Sequence, residues 1–166
     1  PPRLPEVNPA GIYRREFEIP DEWNGRNVFL HLAGAKSGVY VYVNGHEAGY
    51  NEDSKNPAEF LIDEYLRPGR NTLTIKIYRW STGSWLECQD FWRMSGIERD
   101  VFLWSQPRVA VRDFRIKSTL DEACRDGIFA LEADLTNRTE GDAEATLSYE
   151  LLDDAGRQVA AGQRDA

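Results

Sequence analysis

Short runs in which every second residue is apolar, each closed by a turn signal, constrain the fold of this chain more than any other feature of its sequence. In residues 39–43 every odd position is valine, and the run ends at Asn44-Gly45. Alternation with period two places these valines on one face of a β-strand. Asn-Gly directly after such a run predicts a type I′ hairpin turn, because both central residues of that turn need positive φ.

The same pattern recurs up to Leu103, while no long stretch has the 3.6-residue period of a helix. Residues 68–71 read Pro-Gly-Arg-Asn and predict a second hairpin. We therefore expect an all-β fold, with a jelly-roll (galactose-binding-like) antiparallel β-sandwich over residues 1–106 and no helix longer than about three turns. The positions expected to share strand faces are Tyr13, Arg15, Phe17 and Ile19; Val28, Leu30 and Leu32; Leu73, Ile75 and Ile77; and Val101 and Leu103.

A second all-β unit is expected after residue 106, where a proline is followed by new strand signals. It shows about four strands, with a turn at residues 154–156, whereas an immunoglobulin-like sandwich needs about seven strands in about 100 residues. We therefore expect residues 107–166 to form a truncated immunoglobulin-like β-sandwich. An apolar face that includes Phe129 and Leu131 would lack its opposing sheet, which favours association with another molecule.

Composition and charge argue against two classes of partner. The net charge is −8 at pH 7 and the 20 basic residues are scattered, so the sequence predicts no nucleic-acid partner, which would need a basic patch. No apolar run approaches the roughly 20 residues of a membrane span, so no membrane partner is expected. Cys88 and Cys124 lack metal-ligand spacing and are interpreted as free thiols. His31 and His46 are interpreted as structural or solvent-facing.

Residues 79–100, which we call the tryptophan-rich segment, are the part of the sequence most suited to chemistry. The segment has no sustained strand or helix period and holds three of the five tryptophans. Long loops in compact domains are usually functional or disordered, and disordered chains are poor in aromatic residues. Aromatic rings beside carboxylates suit sugar recognition, because a ring covers the apolar face of a pyranose while a carboxylate accepts hydrogen bonds from its hydroxyls.

A packing role is the alternative for the same residues, with Trp80 and Trp85 packed under the loop. The ion pairs of that alternative would join Arg79, Arg93 and Arg99 to Glu87, Glu98 and Asp100. Glu87 and Asp90 could also imitate the carboxylate pair of a retaining glycosidase, about 5 to 5.5 Å apart, if the loop makes one helical turn. We assign no catalytic residue, because one short loop offers no opposing wall to hold a sugar.

The order of residues in and before the tryptophan-rich segment is specific. Within the segment it runs Trp80-Ser81, Leu86-Glu87, Gln89-Asp90, Trp92-Arg93-Met94-Ser95-Gly96-Ile97 and Arg99-Asp100-Val101. Upstream it includes Asn8-Pro9-Ala10-Gly11-Ile12-Tyr13, Val43-Asn44-Gly45, Gly49-Tyr50 and Asp53-Ser54-Lys55-Asn56-Pro57-Ala58-Glu59-Phe60. This order, over roughly residues 1–105, closely resembles the amino-terminal sandwich of the β-galactosidases of glycoside hydrolase family 2.

The resemblance implies that the chain is the non-catalytic amino-terminal part of a β-galactosidase whose catalytic barrel, with both catalytic glutamates, lies elsewhere. This part alone is then expected to be inactive. The resemblance gives Asp90 as the substrate-binding and metal-binding residue, in contact with galactosyl hydroxyls and a sodium ion. It implies sodium and magnesium, a galactoside substrate and a homo-oligomer for the parent enzyme, with no complete cofactor site in this chain. Cys88 stands where many family members carry an acidic residue.

Two other functions remain open from the sequence: a free-standing carbohydrate-binding module, which can also use a jelly-roll sandwich, and a purely structural interaction domain. The incomplete second unit favours the enzyme over the module. Because the sequence opens on Pro-Pro without methionine, we expect the natural chain to begin upstream. If Asp90 binds sugar, its carboxylate should lie at the surface, with Trp92 and Arg93 fixing the loop and Trp92 more buried than Asp90.

Overall fold

The computed structural model describes residue 3, residues 5–87 and residues 92–166. These residues form thirteen strands, one four-residue α-helix, α1 (Gly83–Leu86), and two 3₁₀ turns, Asp21–Trp23 and Asp63–Tyr65. The chain divides into two compact units, one ending at Gln106 and the other running from Pro107 to Ala166. None of the helices in the described ranges has the length and apolar character needed to cross a membrane.

The first unit consists of two antiparallel sheets and one short ladder. Its strands are β1 (Ala10–Glu18), β2 (Asn27–Leu32), β3 (Ala35–Lys36), β4 (Gly38–Val43), β5 (His46–Asn51), β6 (Ala58–Leu61), β7 (Arg70–Tyr78), β8 (Gly96–Ile97) and β9 (Val101–Gln106). One sheet has the order β1-β7-β4-β5 and the other β6-β2-β9, while β3 pairs with β8. The order is non-sequential, so most strand pairs join residues that are far apart in the chain.

A single apolar core lies between the two sheets of the first unit. The alternating positions of β2, β4 and β7 all point into it, which is the arrangement that their period-two pattern predicts. Burying one such side chain contributes roughly 1.5–3 kcal/mol. The buried members of the core are Val28, Leu30, Leu32, Ala35, Val39, Val41, Val43, Phe60, Ile62, Ile75 and Ile77. The predicted antiparallel β-sandwich is therefore confirmed.

The hairpin predicted at Asn44-Gly45 is confirmed. It joins β4 to β5, and both turn residues have positive φ, 52° at Asn44 and 89° at Gly45. The Asn44 side chain also reaches outside the turn. Its Nδ2 donates to the Tyr65 carbonyl and to Asn71 Oδ1, both at 2.8 Å, and its Oδ1 accepts from the Thr72 amide at 2.9 Å.

The second predicted hairpin, at residues 68–71, is wrong. A turn does lie there, with Gly69 at φ 75° and the buried Asn71 side chain donating to the Gly69 and Arg67 carbonyls. The strands on its two sides, however, belong to different sheets: β6 pairs with β2, and β7 pairs with β1 and β4. The turn therefore carries the chain from one sheet of the sandwich to the other.

The second unit has four strands, as predicted, arranged as two antiparallel ribbons. One ribbon pairs β10 (Val109–Leu120) with β11 (Gly127–Asn137), and the other pairs β12 (Thr146–Leu152) with β13 (Gln158–Asp165). Residues 153–157 form the predicted turn between β12 and β13, in which the Asp153 amide donates to the Arg157 carbonyl at 2.9 Å.

One face of the β10–β11 ribbon is apolar and largely exposed. Ile116 lies opposite Leu131, and Phe114 lies opposite Ala133, so these side chains share that face. Phe114 is 63 % exposed and Ile116 is 53 % exposed. Phe129 of the same face touches the Tyr149 ring of the other ribbon, with centroids 5.8 Å apart. The other ribbon therefore covers only part of this face, as expected for a unit with four strands.

The residues interpreted as structural at the sequence level lie among aromatic rings or at the surface. His31 stacks on Phe102 with centroids 4.5 Å apart, and its Nδ1 lies 3.1 Å from Glu59 Oε1. His46 stacks on Tyr65. Cys124 is a free, exposed thiol, while Cys88 lies outside the described residues.

Candidate functional site

The tryptophan-rich segment begins at the end of β7, where Asn8 fixes the backbone of Trp80. Asn8 Nδ2 donates to the Trp80 carbonyl at 2.9 Å, and the Trp80 amide donates to Asn8 Oδ1 at 3.0 Å. The Asn8 side-chain amide thus pairs with both backbone groups of Trp80, in the way that the backbone of a neighbouring β-strand would. The beginning of the segment is thus attached to the chain before β1.

Two of the segment's tryptophans form a stacked pair. The rings of Trp80 and Trp85 are 6.2 Å apart and inclined by 12°. The Arg93 guanidinium lies over both rings, 5.9 and 5.8 Å from their centroids, and Arg79 lies 5.4 Å from the Trp80 centroid. The two tryptophans therefore pack against each other, and among the described residues both arginines lie over aromatic rings.

The packing alternative also expected ion pairs between arginines and acids of the tryptophan-rich segment. Among the described residues, Arg99 and Glu87 have other partners. Arg99 donates to the carbonyls of Ala33 and Lys55, at 3.3 and 3.2 Å. Glu87 accepts a hydrogen bond at Oε1 from the Ser54 amide at 3.1 Å. Backbone groups, rather than opposite charges, hold these two side chains.

Glu52, directly after β5, holds the start of α1. Its Oε2 accepts from the Gly83 amide at 2.8 Å and from the Thr82 hydroxyl, and its Oε1 accepts from the Tyr50 hydroxyl. Partial burial opposes ionisation, but the hydrogen bonds from Thr82, Tyr50 and Gly83 outweigh it and hold the pKa of the Glu52 carboxyl below its usual value. Burial, with the hydrogen bond to Glu52, raises the pKa of the Tyr50 hydroxyl. An ionised carboxylate at this position ties the segment to the sheet.

Asp90, the predicted substrate-binding and metal-binding residue, lies outside the described residues together with the rest of residues 88–91. Its separation from Glu87 and its exposure therefore stay predictions. Glu87 follows α1, which is about one helical turn long, and its Oε1 accepts a hydrogen bond from the Ser54 amide.

The expectation that the Trp92 side chain fixes the loop is wrong. Trp92 is 78 % exposed, and Leu86 and Met94 are also largely exposed. The backbone at this position is fixed instead, because Lys36 Nζ donates to the Trp92 carbonyl at 3.3 Å. Lys36 itself is only 2 % exposed. The segment therefore combines a backbone attached to the sandwich with apolar side chains directed to solvent.

The described residues supply no metal centre on their own. Across residues 5–87 and 92–166, no group of three or more His, Cys, Asp and Glu side chains lies close enough to hold an ion. A hard cation such as sodium takes several oxygen ligands, and the described carboxylates do not make up such a shell.

Three attachment residues, Asn8, Glu52 and Lys36, were not identified from the sequence as parts of the site. Asn8 stood within the resemblance but without a role, and Glu52 is one of many surface acids. Lys36 offered a usable signal, since it is a lone charge three residues before the run of residues 39–43. If a lysine in that setting is buried, its ammonium group needs a hydrogen-bond acceptor, because burying an unpaired charge is costly.

The first unit matches a known family over its whole length. The family model for "Glycosyl hydrolases family 2, sugar binding domain" matches residues 1–107. Among curated proteins, the chain is 46 % identical over 159 residues to a β-galactosidase of Priestia megaterium and 42 % identical over 161 residues to one of Halalkalibacterium halodurans. These matches cover 95 % and 96 % of this chain but only 15 % and 16 % of the relatives.

Solved structures share the fold over nearly the whole chain. A Bacteroides uniformis β-glucuronidase matches with a TM-score of 0.83 at 20 % identity, covering 96 % of this chain and 20 % of that protein. A Ruminococcus gnavus β-glucuronidase matches with a TM-score of 0.78 at 24 % identity, covering 93 % of this chain and 28 % of that protein. At this level of identity the likeness establishes the all-β fold.

Proposed function

We propose, from the premise that this chain belongs to family 2 of the glycosyl hydrolases and carries that family's sugar-binding domain, that it is the non-catalytic part of a β-galactosidase that shapes the galactoside site. The observation that carries the proposal is the 46 % identity to a β-galactosidase, which runs through both units and not through the sandwich alone. The chain spans less than a fifth of the curated relatives it matches, so catalysis is assigned to the remainder of the protein.

In this proposal the tryptophan-rich segment is the sugar-facing part of the sandwich. Asp90 accepts hydrogen bonds from galactosyl hydroxyls and binds a sodium ion, while the stacked tryptophans and the arginine above them form a rigid base. The exposed side chains of Leu86, Trp92 and Met94 support this role, because apolar groups at a functional loop are normally covered by substrate or by a neighbouring domain.

A free-standing carbohydrate-binding module is less well supported. The likeness to β-galactosidases continues past residue 107, where the sugar-binding family model ends, and covers 95 % of the chain. A purely structural role predicts the same fold but no affinity for galactosides, so measured galactoside affinity separates it from the proposed function.

The test compares substrates in the full-length protein from which this chain comes. We expect turnover of a chromogenic β-galactoside at least about tenfold faster, by kcat/KM, than turnover of the matching β-glucuronide, since a site built for one set of hydroxyls leaves groups unpaired with the other. The 166-residue chain alone, assayed beside it, should release no product. Preference for the glucuronide, or galactoside turnover by the isolated chain, would contradict the proposal.

A further inference from the structure

Residues on both sides of 88–91 are tied to the sandwich by a charged side chain from outside the tryptophan-rich segment. On the upstream side, the Glu52 carboxylate binds Thr82 and Gly83. On the downstream side, the Lys36 ammonium binds the Trp92 carbonyl. The two attachments come from different strands of the fold, β3 and the end of β5.

The Glu52 attachment depends on charge and on close approach. A charge-assisted hydrogen bond is roughly twice as strong as a neutral one, and this carboxylate accepts one from a backbone amide and two from hydroxyls. A Cβ at Gly83 would lie 2.9 Å from the Glu52 carbonyl oxygen, so the backbone passes too close for any other residue without a shift. The start of α1 is thereby fixed against the sheet.

The Lys36 attachment uses a charge that the fold has taken out of water. Burying an ammonium is costly unless it is hydrogen-bonded, yet Lys36 is 2 % exposed and directs Nζ to the Trp92 carbonyl. Its backbone also pairs with Gly96 in the β3–β8 ladder. One residue therefore holds the segment at two points, Trp92 and Gly96.

We infer that Glu52 and Lys36 are positioning residues for sugar recognition: they fix the backbone at Thr82–Gly83 and at Trp92, which precede and follow the residue that the proposed function assigns to the sugar. This inference rests on the proposed function of Asp90. Both residues act through the segment and neither needs to touch the sugar. The Glu52 contribution is present at neutral pH and is lost as the pH falls through its lowered pKa, because the protonated acid accepts hydrogen bonds poorly.

The experiment uses Glu52→Gln and Lys36→Met in the full-length protein. Gln has the shape of Glu and Met matches the lysine side chain as far as Cε, and each change removes the charge. We expect KM for a chromogenic galactoside to rise about three- to tenfold with kcat changed less than about threefold, since mispositioned recognition groups weaken binding of substrate and transition state alike. Hydrogen exchange should become faster in the peptide covering residues 81–87 for Glu52→Gln, and in the peptide covering residues 92–97 for Lys36→Met.

Asp53→Asn is the matched control for Glu52. The Asp53 carboxylate also accepts several hydrogen bonds, but all come from Lys55 and Asn56 in its own turn. Lys117→Met, an exposed lysine of the second unit, is the control for Lys36. Neither control should change KM or exchange in the segment.

The outcomes distinguish failure of the positioning role from failure of the proposed galactoside function. Faster exchange with unchanged KM overturns the positioning role, and unchanged exchange overturns the attachment itself. If wild type shows no galactoside turnover, the proposed function fails on its own; the exchange comparison then still decides whether Glu52 and Lys36 hold the segment. Equal effects in variants and controls also overturn the inference.

Discussion

Asp90 is the residue whose charge the proposed galactoside contact requires. In the full-length protein Asp90→Asn is nearly isosteric and should keep the fold, but it removes the charge-assisted hydrogen bonds to sugar and the attraction for a cation. We expect kcat/KM to fall about ten- to a hundredfold, equivalent to on the order of 1.5 to 3 kcal/mol. The measurement is galactoside kinetics across a range of sodium concentrations.

Asp100→Asn is the control for this substitution, because Asp100 is an exposed carboxylate in the same tryptophan-rich segment. It should leave kcat/KM within about twofold of wild type, as most surface substitutions do. Wild-type kinetics and wild-type sodium dependence in Asp90→Asn would show that the carboxylate has no role in recognition and that the role drawn from the family resemblance does not apply.

Among the elements, the turn of the β4–β5 hairpin depends on a residue that tolerates positive φ. Gly45 has φ 89°, and nothing lies within 4 Å of the Cβ it lacks, so a larger residue is penalised by backbone conformation and not by space. Gly45→Val should destabilise the first unit by about 1–2 kcal/mol. Urea unfolding followed by tryptophan fluorescence measures this unit alone, because all five tryptophans precede residue 107.

Gly45→Asn is the matched variant at the same position, since asparagine tolerates positive φ better than valine does. It should lose clearly less stability than Gly45→Val. Equal losses for the two would mean that side-chain size, and not φ, limits this turn.

The elements also show which information is local. The Asn44-Gly45 hairpin could be predicted because a two-residue turn joins strands that are neighbours in sequence and in the sheet. The turn before Asn71 could be predicted as a turn but not as a change of sheet, because the partners of β7 are β1 and β4, which are distant in the chain. Glu52 could not be identified, and Trp92 was misjudged, for the same reason: whether a side chain binds or faces solvent depends on residues brought near only by folding.

The exposed apolar face of the second unit determines how the 166-residue chain should behave in solution. The apolar face of the β10–β11 ribbon is open at Phe114, Ile116 and Leu120, and open ribbon edges invite pairing with another chain. We expect the 166-residue chain to self-associate as its concentration rises, measured by sedimentation equilibrium.

Two lysine substitutions on opposite faces of β10 test that expectation. Ile116→Lys places a charge on the apolar face and should shift the chain toward monomer. Thr119→Lys lies on the other face of the same strand and should leave association unchanged. A strictly monomeric wild-type chain at high concentration would contradict the prediction.

The hydrogen bonds of Asn44 also bear on the chemical ageing of the molecule. An asparagine followed by glycine cyclises readily to a succinimide and loses ammonia, because the glycine amide meets little steric hindrance when it attacks the side chain. Here the Asn44 amide is engaged with Tyr65, Asn71 and the Thr72 amide, so cyclisation must first break those bonds. Deamidation would then leave a carboxylate facing two oxygen acceptors, the Tyr65 carbonyl and Asn71 Oδ1, to which it cannot donate. Aged, more acidic chains should accordingly accumulate in proportion to the time each molecule has spent unfolded.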